Sequence, residues 1–169
     1  MPANFLRGTL MDERYSYKKV PGHAGLRRGR VSLSNTVYLI TTTSENRESL
    51  FTHFPAACAA ARCFEDAALL RSSRMLAWVL MPDHVHWLLQ LGEADNLGDV
   101  VSRLKSASSR HSNRTLGRTG PLWSKAFHDH ALREEEDLQA VARYIVANPL
   151  RAGLVKRIGD YPFWNAIWL

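Results

Sequence analysis

Sulfur is scarce in this chain: two cysteines occur in 169 residues. Cys58 and Cys63 lie five apart in a run that reads as helix, a spacing that holds their backbones too far apart for a bridge. Two thiols are also too few for a zinc framework, so both read as small core residues. Long apolar runs are lacking as well, and none approaches a bilayer crossing. The N-terminal stretch MPANFLRGTLMDERYSYKK has no apolar segment of the signal-peptide type and carries acids early. The expectation is a soluble, cytoplasmic protein with no membrane partner. Internal repeats and low-complexity tracts are missing. So is the His-Glu-x-x-His pattern of metallohydrolases, and so is the Gly-Phe-type signature of aromatic RNA-binding sheets.

What is present is an apolar fraction of 46%, enough for one domain with a proper core and too little for two comfortable ones. Charge is unevenly placed. Residues 1–33 carry a net of +5, residues 100–130 another +5, and the formal total of +6 leaves the remainder at −4. Cations clustered on a mildly acidic body suit a polyanion, because phosphate neutralisation works best where positive charge is concentrated. Solubility alone would also account for the charge.

Residues 1–30 lack sustained periodicity and read as a basic arm. The body, residues 31–169, begins with a β-rich run, Thr36–Thr42. Phe51–Leu70, rich in alanine and leucine, reads as a helix with Pro55 near its start. Arg74–Met81 and His84–Leu91 read as two strands joined by the turn pair Pro82-Asp83, hence a hairpin. A helix is expected from an Asn96 cap to about Asn113, a short strand over Phe127–Leu132, and a last helix opened by Glu134, Glu135, Glu136 and Asp137. Its apolar stripe is Leu138, Val141, Ala142 and Ile145, and Pro149 stops it. The element order implies an α+β fold of the ferredoxin-like or RRM-like kind, an antiparallel sheet with helices on one face.

Alternation along the second hairpin strand puts His84, His86, Leu88 and Gln90 on one face and Val85, Trp87, Leu89 and Leu91 on the other. The second set is apolar and should meet the helices, so two imidazoles project together from the opposite face. Side by side they can ligate one divalent ion, although a His-x-His pair on a strand is by itself a weak signal. On the last helix Tyr144 and Asn148 are four apart and stack on the flank of the apolar stripe. An amide oxygen can complete a two-histidine site, and a tyrosine beside it could attack a polarised phosphorus. From the residues alone the nucleophile stays open among Tyr144, Tyr38 and Tyr161.

Two runs carry a resemblance. Met81-Pro82-Asp83-His84-Val85-His86-Trp87-Leu88-Leu89 resembles the histidine–hydrophobic–histidine motif of single-tyrosine transposases of insertion sequences. The run from Tyr144 to Val155, Tyr-Ile-Val-Ala-Asn-Pro-Leu-Arg-Ala-Gly-Leu-Val, resembles the tyrosine helix of their REP-associated branch. The likeness extends from about Arg28 to the C-terminus and takes in Gly120-Pro121-Leu122-Trp123 and Phe127-His128-Asp129. It implies Tyr144 as nucleophile and a Mg²⁺ or Mn²⁺ ion held by His84, His86 and Asn148. Mobile relatives often have glutamine four after the tyrosine, and the asparagine here is similar to the REP-associated branch. The resemblance further implies single-stranded DNA hairpins with a short flanking recognition sequence as partner, a 5′-phosphotyrosine intermediate, and a monomer or homodimer. Under that reading Arg103, Lys105 and Arg110 track the phosphate backbone, and Arg27, Arg28 and Arg30 of the arm read bases beside the hairpin.

Two rivals stand beside it. One is a non-catalytic single-strand-binding sheet, which would stack bases on aromatics. The other is a zinc hydrolase of small substrates, which would need a third strong ligand, with His128 and His130 as the available pair. A variant of the main reading keeps the site but serves host repeat elements without mobility.

Overall fold

The computed structural model describes residues 32–133 and 137–168. The expected arm, with Arg27, Arg28 and Arg30, and the three glutamates expected to open the last helix lie outside the described residues. The described residues form one compact unit.

Five antiparallel strands are ordered β4-β1-β3-β2-β5. They are β1 (Val37–Thr43), β2 (Arg74–Met81), β3 (His84–Gln90), β4 (His128–Ala131) and β5 (Trp164–Ala166). The first four have the ferredoxin-like order, and β5 adds an edge that the sequence did not announce. The helices are α1 (Phe54–Ala61), α2 (Ala67–Leu70), α3 (Leu97–Leu116), α4 (Leu138–Val146) and α5 (Asn148–Arg151).

One helix expected over Phe51–Leu70 is in fact two. Pro55 sits in the first turn of α1, and a turn follows at its end. Asp66 then caps a new start by accepting a hydrogen bond from the Ala68 amide at 2.8 Å. The break turns Phe64 into the core, edge-on to Trp78 and Trp87 at 5.3 and 5.2 Å. Cys58 and Cys63 therefore do not share a helix, and both thiols are free. The Asn96 cap is as expected, but α3 runs to Leu116 and stops where Gly117 takes a left-handed conformation, φ +61°.

The last helix is also shorter than expected. Asp137 caps α4 by accepting from the Gln139 and Ala140 amides, and α4 ends at Val146. Pro149 lies in the first turn of a separate α5, a place proline tolerates because that amide has no helical partner. Tyr144 and Asn148 are thus on consecutive helices.

One sheet face holds the main core. Val85, Trp87 and Leu89 of β3, with Tyr38 and Ile40 of β1 and Trp78 and Leu80 of β2, pack with α1 and α3. The other face is covered in part by α4, which packs on β2 and β5 and buries Val141, Ala142, Ile145 and Val146. This is why β2 is buried from Met75 to Met81 without alternation. A register shift between Met75 and Ala77 marks a bulge at Leu76.

Candidate active site

The face under α4 is the histidine face. Register places Thr41 opposite His86 and Thr43 opposite His84 on β1, with Val79 and Met81 opposite them on β2. The two imidazoles stand edge-on with ring centroids 5.0 Å apart.

Neighbours fix both rings. Asp83 Oδ1 lies 2.6 Å from His84 Nδ1, and Thr41 Oγ1 lies 2.8 Å from His86 Nδ1. With both Nδ1 atoms engaged in this way, the Nε2 atoms are the ones that could hold a cation, since a neighbouring carboxylate or hydroxyl sets the tautomer. The hairpin turn that carries Asp83 is itself gripped. The Asp83 carbonyl accepts from the Ser44 amide at 2.8 Å and its hydroxyl at 3.0 Å, and the Pro82 carbonyl accepts from the Phe51 amide at 3.0 Å. Asp83 also meets Arg47, with Nη1 3.4 Å from Oδ2. Arg47 and the preceding Asn46 both have left-handed backbones, φ +54° and +53°, conformations that cost side-chain-bearing residues energy.

Charge follows from this geometry. Burial pushes the His86 pKa down to about 3, helped by the positive charges of His84, Arg151 and Arg47 and opposed by Asp83. His86 is therefore a neutral imidazole at neutral pH, the form that can ligate a metal. The hydrogen bond with His84 holds the Asp83 carboxyl below its usual range, and the charges of His84 and Arg47 add to this against the effect of burial.

Tyr144 is on α4, and Asn148 opens α5. Asn148 Nδ2 donates to the Ile145 carbonyl at 2.7 Å, which turns Oδ1 outward. Arg151 ties these residues together. Its Nη2 donates to Asn148 Oδ1 at 2.7 Å, its Nη1 to the Tyr144 carbonyl at 2.8 Å, and the guanidinium lies 3.9 Å from the Tyr144 ring centroid.

The expected backbone-tracking residues divide. Arg103 is spent within the fold: Nη2 pairs with Asp95 at 2.8 Å and Nε donates to the Leu69 carbonyl at 2.7 Å. Lys105 Nζ donates to the Ser124 carbonyl at 2.5 Å, and burial lowers its pKa to about 8. Arg110 is exposed on α3, a helix of the core face rather than the histidine face.

His128 and His130 do share the histidine face, opposite Thr41 and Leu39. Among the described residues, however, no three His, Cys, Asp or Glu side chains are grouped to hold a metal, so a zinc hydrolase lacks its third strong ligand there. The base-stacking rival fares no better, since the histidine face of β1 and β3 bears no aromatic ring besides the two imidazoles. Sequence reasoning missed Thr41, Asp83, Arg47 and Arg151. The signals that could have found two of them are the alternation along β1, which turns Thr41 away from the core, and the adjacency of Asp83 to His84. The site roles of Arg47 and Arg151 had no local signal.

The model of the family described as "Transposase IS200 like" matches residues 32–148, from the start of the described body through Asn148. This chain belongs to the IS200-like transposase family. Within it the chain is similar to REP-associated tyrosine transposases. It is 32% identical over 87 residues to the one of Escherichia coli K12, across 52% of this chain and 50% of that protein. It is also 32% identical over 98 residues to a Haemophilus influenzae protein that provisionally bears the same description, across 52% of this chain and 56% of that protein. The match spans about half the length of these curated relatives. A solved REP-associated tyrosine transposase bound to a REP hairpin shares the fold, with a TM-score of 0.62 and 24% identity across 80% of this chain and 79% of that one. Among the described residues no helix is long and apolar enough to cross a membrane.

Proposed function

We propose that this chain is a metal-dependent single-stranded DNA endonuclease and strand-transferase that acts at REP-like hairpins through Tyr144. The observation that carries the reading is the docking of the tyrosine helix on the sheet face that bears His84 and His86, with Asn148 directly after it. The family supports the same reading, and so does the REP hairpin bound by the structural relative.

The donor set fits a hard or borderline divalent cation such as Mg²⁺ or Mn²⁺. His84 and His86 offer Nε2 atoms with their Nδ1 atoms already engaged, and Asn148 offers an amide oxygen. When bound there, the ion supplies charge stabilisation at a non-bridging oxygen of the scissile phosphate. Tyr144 attacks the phosphorus: the Oη–P bond forms with loss of the phenol proton, the P–O3′ bond breaks, and the departing 3′ oxygen gains a proton. The 5′-phosphotyrosine link retains the phosphodiester's energy. A 3′-OH can therefore attack it later and rejoin strands without a nucleotide cofactor.

On this reading Arg110 and the arm residues Arg27, Arg28 and Arg30 contact the strand, and residues 31–169 are the catalytic domain. The test is a pool of single-stranded hairpins with varied flanks, incubated with Mn²⁺ and analysed for a denaturation-resistant adduct. An adduct on Tyr144 that is lost with chelator supports the proposal. Tight binding without any adduct favours a binding domain that does not cut.

A further inference from the structure

Arg151 is an exposed side chain that nevertheless makes three directed contacts, to Asn148 Oδ1, to the Tyr144 carbonyl and to the face of the Tyr144 ring. An exposed arginine usually gains little from such ordering, because restricting its rotamers offsets a contact made in water. Capping the end of α4 would need only the bond to the Tyr144 carbonyl. It does not account for the second arm of the fork, which engages the oxygen that the proposed function gives to the cation.

A guanidinium and a divalent ion are poor neighbours. The arginine draws electron density from the amide oxygen and repels a cation at His84 and His86. A phosphate is a better partner for the guanidinium than a neutral amide, because it accepts two parallel charge-assisted hydrogen bonds. The strand brings such a phosphate to this place.

We propose that Arg151 is a positioning residue that couples cation binding to strand binding. In the DNA-free protein it holds the Asn148 amide oxygen and opposes the ion; a strand phosphate draws the guanidinium away, and Asn148 is then free to ligate. This rests on the function proposed above. The coupling keeps the complete site for the moment when a strand is present.

The test is Mn²⁺ binding, followed by electron paramagnetic resonance on the DNA-free protein and on the protein with a hairpin that it binds, in a Tyr144→Phe background so that the strand stays whole. Arg151→Gln removes the charge and is expected to tighten DNA-free Mn²⁺ binding on the order of fivefold, the scale of one charge repelling a divalent ion across a solvated cleft. It should also shrink the tightening that the hairpin produces. Arg151→Lys keeps the charge but loses the fork, so it is expected to tighten DNA-free binding less than Arg151→Gln does. Equal or weaker DNA-free binding in Arg151→Gln, with native circular dichroism, overturns the coupling while leaving the cation site intact. If His84→Ala binds Mn²⁺ as the parent does, the ion is not at this site, and the proposed function fails along with the coupling.

Discussion

Val85, Trp87 and Leu89 on one side of β3 are fully buried with α1 and α3, while His84 and His86 on the other are half-buried beneath a helix that arrives more than fifty residues later. The same strand thus serves two solvents. On the core face the side chains need only be apolar and of the right volume, and their mutual fit is non-directional. On the histidine face both imidazoles of β3 are oriented by hydrogen bonds, from Thr41 of β1 and from Asp83 of the hairpin turn. Stability is concentrated on the first face and the proposed chemistry on the second, so substitutions should separate the two.

The largest separation is expected from Tyr144→Phe. On the proposed mechanism it abolishes the covalent DNA adduct, a loss of at least about a thousandfold, while the melting temperature stays close to that of the parent. Trp87→Ala does the reverse, destabilising the fold by about 3–5 kcal/mol through the cavity beside Phe64 and Trp123; urea denaturation measures it. A Tyr144→Phe protein that melts as early as Trp87→Ala would show that the two faces are not independent.

A smaller effect sits at the far end of the hairpin strands from the histidines. Asp95 is 3% exposed and accepts hydrogen bonds from Ser72, Ser73 and Arg103. Burial alone would raise its pKa, but those bonds and the arginine's charge hold it down to about 2. Because the folded value lies below the unfolded one, the stabilisation is complete above about pH 4 and is lost as the pH falls through about 2. Its size is about 2 kcal/mol. Asp95→Asn should lose that amount at neutral pH and flatten the acid limb of the stability profile, with Mn²⁺ affinity unchanged.

Asp83→Asn tests the histidine face at comparable size. It loosens the hold on His84 and is expected to lower Mn²⁺ affinity by about 10–100-fold, read by titration calorimetry. The smallest effect is expected at α3. Arg110→Gln should reduce the salt dependence of DNA binding by about one unit of slope, whereas Arg103→Gln should act on stability, because its guanidinium already holds Asp95.

The sequence by itself determined the hairpin and both histidines' face, because strand alternation is a local property with a period of two and the apolar set Val85, Trp87, Leu89 admits only one inward side. It determined the cap at Asn96 for the same reason, since a capping side chain reaches only two or three residues along its own chain, whereas Asp137, read from the sequence as part of the first turn, caps α4 instead. The family was also legible, carried by two short runs in fixed order. Tertiary structure decided the break after α1, where the core draws in Phe64, the edge strand β5, and the separation of Tyr144 from Asn148 onto consecutive helices. It decided too that Arg103 pairs with Asp95 and Lys105 with the Ser124 carbonyl, that Thr41 and Asp83 meet the histidine rings, and that Arg151 meets Asn148 and Tyr144. Those outcomes depend on which distant groups meet when α4 docks on β2 and when β1 pairs with β3, and no local pattern encodes a hydrogen bond between residues 45 positions apart, such as that between Thr41 and His86.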